Sequence, residues 1–193
     1  MKRIALFGGT FDPIHRGHRF IAECACEQCD LDKVLFVPCW HSPHKLDSDP
    51  PTAGEHRLRM IKLAVEGLSW AGASSWEMDR AAPSYSWQTA KHFRGGLEDA
   101  DQLYWIIGMD QWQAIERWSR IELLSSLVEF IVFPRFGLSP KPKQGIRARF
   151  LTNAMEISST KIRTQKAEGL SITNQVEAAV ARYIKEKDLY QAS

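Results

Sequence analysis

Long apolar runs are missing from this chain of 193 residues. No stretch approaches the ~18 consecutive apolar residues that a membrane-spanning helix needs, so no membrane partner is expected. An excess of one charge is missing too: 25 Lys and Arg against 23 Asp and Glu leave a formal net charge of +2. That bias is too weak to argue for nucleic acid, which needs a concentrated basic stripe, so no nucleic-acid partner is expected, while local clusters can still serve a small anion. Cysteine is scarce. There are four, of which Cys24, Cys26 and Cys29 cluster. Helical spacing puts Cys24 and Cys26 on different faces and no fourth ligand is evident, so packing is expected rather than metal or redox chemistry. The apolar run after Lys2 and Arg3 stops at Gly8 without a cleavage pattern, so a signal peptide is not expected. The expected location is cytoplasmic, with the thiols reduced. Repeats and low-complexity tracts are absent, as are the G-x-G-x-x-G and Walker A phosphate patterns.

What is present is an alternation of strand and helix signals along one expected domain, residues 1–193. Strands are expected at 2–7, Lys33–Val37, Ala73–Met78, Leu103–Ile107, Val128–Phe133 and 148–155. Helices are expected at 17–29, after Thr52, at Ser86–Phe93, in pieces over 110–126, at 159–168, and near the C-terminus. Thr52 and Glu55 have the spacing of a capping box. Leu58, Ile61, Val65 and Leu68 stripe the helix that follows, and Val176, Val180, Tyr183 and Ile184 stripe the last one. Residues 38–54 and 134–145 read as loops. Mostly apolar strands separated by helices predict a parallel α/β sheet. In such sheets ligands bind beyond the carboxyl ends of the strands. Gly8–His18, Pro38–Lys45, Gly108–Asp110 and Ser158–Arg163 all fall there.

The densest chemistry lies in Gly8 to His18, GGTFDPIHRGH. A helix entrance carries unpaired N–H groups and partial positive charge, so it favours an anion. Gly8 and Gly9 would let backbone approach a phosphate, and Thr10 adds a hydroxyl. Gly17 removes a side chain between His15 and His18, so both rings can reach one anion. Two histidines that only cap a helix are the plainer alternative. Near the C-terminus, Ser158, Ser159 and Thr160 open a helix with Arg163 one turn in, which is again either an anion site or an ordinary N-cap.

The segment Thr10–His18 resembles the signature of the HxGH nucleotidyltransferase superfamily, and Ile157–Arg163 resembles its ISSTxIR motif. Pro38–Lys45, Pro83–Thr89, Ile107–Asp110 with Trp118, and the C-terminal VEAAVARYIKEKDLY resemble segments of bacterial nicotinate mononucleotide adenylyltransferases. The resemblance runs from residue 3 to about 190. It implies a Rossmann-like parallel sheet with helices on both faces, of nucleotidyltransferase type, plus a small C-terminal helical part. It also implies an enzyme of NAD biosynthesis that joins ATP and nicotinate mononucleotide, giving nicotinate adenine dinucleotide and pyrophosphate.

On that resemblance the catalytic candidates are His15, His18 and Arg163. ATP would meet Gly8, Gly9, Thr10, Phe11, Gly108, Asp110, Ser158, Ser159 and Thr160. Nicotinate mononucleotide would meet Cys39, His44, Lys45, Ser84, Tyr85, Ser86 and Trp118. The amides of Tyr85 and Ser86 would hold the nicotinate carboxylate, and Trp118 would stack on its ring. Capping for Asp110 and packing for Trp118 remain alternatives. No protein-bound metal is expected; Mg²⁺ would arrive with ATP. A homo-oligomer is allowed by the sequence and not specified by it. The chain departs from the family at Cys39, where a small polar residue is usual, at Ser42 for a proline, at Ser86 for a threonine, and at Asn174. Rival activities are transfer to phosphopantetheine, transfer to the amide nicotinamide mononucleotide, and non-catalytic nucleotide binding on the same fold.

Overall fold

The computed structural model describes residues 1–40, 50–80, 83–134, 141–152 and 157–191. Its centre is a parallel sheet of β1 (Arg3–Gly9), β2 (Lys33–Pro38), β3 (Ala71–Ala73), β4 (Gln102–Gly108), β5 (Glu129–Phe133) and β6 (Ala148–Phe150). The strand order is β3-β2-β1-β4-β5-β6. The order reverses between β1 and β4, which leaves a crevice at the carboxyl ends of those two strands.

Period-two alternation explains both layers. Ala5, Phe7, Val34, Phe36, Tyr104, Ile106 and Ile131 face one core, which is completed by Ile21, Ile61, Ile162 and Ile184. Leu6, Val37, Leu103, Trp105, Ile107, Phe130 and Val132 face the other, completed by Ala90, Trp112 and Leu124. Helices therefore cover both faces, as expected. On the first face lie α1 (Arg16–Cys29), α2 (Gly54–Ala64), α6 (Ser159–Ala167) and α7 (Ala178–Glu186). On the second lie α3 (Ser86–Arg94), α4 (Met109–Gln113), a 3-10 turn at Ile115–Arg117 and α5 (Ile121–Leu127). Each fully buried Ile, Leu or Phe of these layers contributes about 1.5–3 kcal/mol.

Several expectations are corrected. β1 runs through Gly8 and Gly9, which pair with Val37 and Pro38, so these glycines end a strand rather than open a loop. β3 is Ala71–Ala73, not Ala73–Met78. Residues 75–79 turn instead, with Met78 N–H donating to the Ser75 carbonyl and Trp76 stacked on His92 at 4.7 Å. The capping box at Thr52 does not form: α2 starts at Gly54 after Ala53, without a side-chain cap. Thr52 is engaged elsewhere, through its N–H to Asp12 and its carbonyl to Arg57. Val176 is buried but precedes α7, and β6 stops at Phe150. The thiols of Cys24 and Cys29 are buried, Cys26 is half-buried, and burial pushes the Cys26 thiol up to about 11. That suits packing. Among the described residues no helix is long and apolar enough to cross a membrane.

Candidate active site

His15 is the N-cap of α1 and is buried. Its Nδ1 accepts from the His18 N–H at 3.3 Å, and the His18 Nδ1 accepts from the His15 N–H at 3.3 Å. The two rings stack at 3.7 Å with 21° between their planes. Capping and ligand binding are thus not alternatives here. An Nδ1 that accepts from backbone carries no proton, so each neutral ring carries its proton on Nε2. The cap sets the tautomer, and the tautomer makes each ring a donor. Gly17 is needed for this packing: a Cβ there would lie 3.0 Å from the His15 Nδ1 and 3.3 Å from the Ile157 Cβ. Its role is to admit the His15 ring and the start of the C-terminal motif.

The loop between β1 and α1 is fixed from several directions. Phe11 takes a left-handed φ of 50° and turns its ring into the core, 5.5 Å from Phe7 and 5.6 Å from Phe36. It can offer a ligand only backbone atoms. A Cβ on Gly9 would meet that ring at 2.9 Å, so Gly9 makes room for Phe11. Thr10 presents its hydroxyl toward the Cys39 thiol, Sγ to Oγ1 3.8 Å. Asp12 is 7% exposed. Its Oδ1 accepts from the Tyr190 hydroxyl at 2.6 Å and its Oδ2 from the Thr52 N–H at 3.1 Å. Burial pushes the Tyr190 hydroxyl far up, with Asp12 adding to it, so Tyr190 remains a donor.

The C-terminal motif docks onto this same loop. Ser158 is the N-cap of α6 by position, without a side-chain cap bond. Ser159 donates its hydroxyl to the Pro13 carbonyl at 3.0 Å. Arg163 donates to the Asp12 carbonyl at 2.7 Å and to the Thr160 hydroxyl at 3.5 Å. Two segments about 146 residues apart in sequence therefore form one surface.

The other expected residues sit on the opposite side of the crevice. Gly108 ends β4 and is the N-cap of α4, and the exposed Asp110 lies in that helix's first turn. Tyr85 is the N-cap of α3, with Ser86 its first residue and no side-chain cap. Ser84 accepts from the Trp40 N–H at 3.2 Å. A pocket of about 410 Å³ opens here, with Trp76, Glu77, Arg80, Ser84, Tyr85 and Gln88 among its walls. Arg120 lies over the Trp87 ring at 4.3 Å, which ties the start of α3 to the segment after Trp118. Trp118 is half-buried and packs against the second core, so packing accounts for part of its role. His44 and Lys45 lie outside the described residues.

Three residues of this region were not among the expected ones. Arg57 is 1% exposed and bonds the Thr10, Cys39, Trp40 and Thr52 carbonyls. Burial lowers its pKa, offset by Cys39 and Asp12. Glu77 is buried, accepts from the Thr89 hydroxyl at 2.5 Å, and burial raises its pKa. Asp12 is the third. Helical spacing could have found Arg57, which lies four before Ile61 and seven before Ala64 on the buried face of α2; the stripe read from Leu58 passes beside it. Asp12 and Glu77 carried no such signal.

A cytidylyltransferase-like family model matches residues 6–165 of this chain. A "Probable nicotinate-nucleotide adenylyltransferase" of Methylacidiphilum infernorum is 39% identical over 189 residues, covering 97% of this chain and 92% of that protein. The chain belongs to the cytidylyltransferase-like family, among its nicotinate-nucleotide adenylyltransferases. A relative with the same printed name from Clostridium botulinum is 35% identical, covering 99% of both chains. The fold is also that of the Plasmodium falciparum nicotinic acid mononucleotide adenylyltransferase. Its NaAD complex superposes with a TM-score of 0.78 at 18% identity, covering 98% of each chain. Its complex with APC gives 0.73 at 19%, again covering 98% of each.

Proposed function

We propose that the crevice between β1 and β4 joins ATP to nicotinate mononucleotide in NAD biosynthesis, giving nicotinate adenine dinucleotide and pyrophosphate. His15, His18 and Arg163 form the catalytic group. The observation that carries this reading is the reciprocal His15–His18 cap facing a loop that Arg163 also grips.

The acceptor phosphate has its second pKa near ~6, so its attacking oxygen is already largely deprotonated at neutral pH. No base is required. The obstacle is repulsion between two polyanions, and catalysis reduces to alignment and charge stabilisation. His15 and His18 supply Nε2–H donors to the ATP phosphates as charge builds in the transition state. The amides at the α1 entrance add to them. Arg163, with Ser159 and Thr160, takes the departing β- and γ-phosphates, and Thr10 bridges the reacting groups. ATP enters as its magnesium complex, in which water and phosphate oxygens serve as metal ligands.

On the acceptor side, the N–H groups at the start of α3, beside Tyr85 and Ser86 and without a side-chain cap among the described residues, suit a nicotinate carboxylate. Trp118 offers a face to the pyridinium ring, Cys39 is a further contact of nicotinate mononucleotide, and His44 and Lys45 meet its phosphate; Asp110, on the ATP side, accepts from ribose hydroxyls. Purified protein with ATP and Mg²⁺ is assayed for pyrophosphate release with nicotinate mononucleotide, its amide and phosphopantetheine. Release is expected chiefly with the acid. Release only with phosphopantetheine, or with none of the three, overturns the reading.

A further inference from the structure

Arg57 is the largest buried charge that the chemistry above does not use. It stands on α2, 1% exposed, among Met60, Ile61 and Ala64. A buried cation is costly unless it is thoroughly hydrogen-bonded. Arg57 meets that need entirely with backbone carbonyls. Nε donates to Thr52 O at 2.7 Å, Nη1 to Thr10 O at 2.8 Å and to Cys39 O at 2.7 Å, and Nη2 to Trp40 O at 3.2 Å. Among the described residues no carboxylate forms an ion pair with it.

Those four carbonyls are not scattered. Thr10 belongs to the β1–α1 loop that carries the histidines, and Cys39 and Trp40 leave the end of β2. The peptide that ends at Trp40 continues the chain of contacts, since the Trp40 N–H donates to the Ser84 hydroxyl oxygen at 3.2 Å. Ser84 lies beside Glu77, whose carboxylate accepts from Thr89 inside α3, and the two line the same pocket. One planar fork thus sets the loop expected to hold ATP phosphates against the segment expected to cradle the acceptor. A core arginine with a merely structural role has no reason to collect carbonyls from just these loops.

We propose that Arg57 is a positioning residue for the transfer: it holds the Thr10 loop and the Trp40–Ser84 bridge in the mutual register that lines acceptor oxygen up with the α-phosphorus. It touches neither substrate. The inference rests on the functional reading above. Its physical basis is that a misplacement of about 1 Å in reacting groups costs roughly 100-fold in rate.

The test is steady-state kinetics on Arg57→Lys and Arg57→Gln, varying each substrate with the other saturating. Near-UV circular dichroism and thermal unfolding report the folded fraction. Lysine keeps the charge but not the planar fork. In both variants kcat falls about tenfold or more, while KM for either substrate stays within about threefold. A kcat within about twofold of wild type, or a loss that vanishes once corrected for folded fraction, overturns the proposal. Ser84→Ala cuts the bridge and leaves the buried cation in place. Because Ser84 is also expected to meet the acceptor, the bridge is read in kcat with both substrates saturating, which falls about fivefold; an unchanged kcat overturns the bridge, and this variant decides if neither Arg57 variant folds. Wild type runs alongside. A wild type inactive with nicotinate mononucleotide defeats the functional reading, whereas an active wild type with unaffected variants defeats only this inference.

Discussion

The two sides of the crevice are built differently. On the side of β1, α1 and α6, the groups proposed to carry the reaction are locked to one another. His15 and His18 exchange hydrogen bonds, Arg163 and Ser159 grip the carbonyls of Asp12 and Pro13, and Asp12 is held by Thr52 and Tyr190. On the side of α3 the groups expected to meet the acceptor stand at a helix start without a side-chain cap, beside a pocket of about 410 Å³. In the proposed reaction the first side serves chemistry in which small displacements are expensive, which preorganisation suits. The second is proposed to serve recognition of the acceptor. Variants of the first side should therefore act on kcat, and variants of the second on the acceptor KM.

The largest effect is expected from His18→Ala. It removes a phosphate donor and lowers kcat by roughly 10²–10³-fold, with circular dichroism showing the fold retained. Loss of its half of the cap costs about 1 kcal/mol of stability, read as a modest fall in thermal midpoint. A variant near wild-type turnover breaks the comparison. Arg163→Ala is expected to lower kcat/KM for ATP by roughly 100-fold. An effect confined to the acceptor KM would place Arg163 on the other side. Trp118→Ala should raise the acceptor KM about tenfold with kcat within about threefold, and Trp118→Phe should restore most of it. A thermal midpoint that collapses with unchanged KM would leave Trp118 a packing residue.

The smallest effect is a pH dependence at Glu77. Burial raises its pKa in the folded protein above the ordinary value of 4.5. Between those two values the native state binds the extra proton, so stability falls as pH rises through that window. Below 4.5 both states are protonated and the group adds no slope. Glu77→Gln keeps an acceptor for Thr89 and removes the titration. Its thermal midpoint should therefore gain on wild type as pH rises from 4.5 toward neutrality. A constant difference across that range contradicts the assignment.

The same contrast marks what was legible in the sequence. Apolar strands such as Leu103–Ile107 and periodic helices such as α1 announce themselves locally, because pattern and burial coincide. The histidines and Arg163 were visible because each lies in a short segment whose residues act together. The pairing of Asp12 with Tyr190 was not, because it spans 178 positions; Glu77 was not, because the turn that buries it and brings Thr89 to it carries no periodic pattern. β3 was displaced because Ala73–Met78 has strand-like composition, while Trp76 finds His92 to stack on and turns the chain. Thr52 has a cap's spacing, yet Asp12 and Arg57 claim its backbone first. Sequence marks Gly8 and Gly9 as openings for phosphate and Gly17 as space between the two imidazoles. Gly9 and Gly17 make room for the rings of Phe11 and His15, and a Cβ on Gly8 would meet Trp105 at 3.0 Å.

The central claim is that His15 and His18 act as Nε2–H donors in a direct, in-line transfer and never as nucleophiles. The stereochemical course at the α-phosphorus tests it, using chirally labelled ATP and nicotinate mononucleotide. A single in-line displacement predicts inversion at that phosphorus. Net retention would mean two displacements through an adenylylated enzyme and would contradict the account.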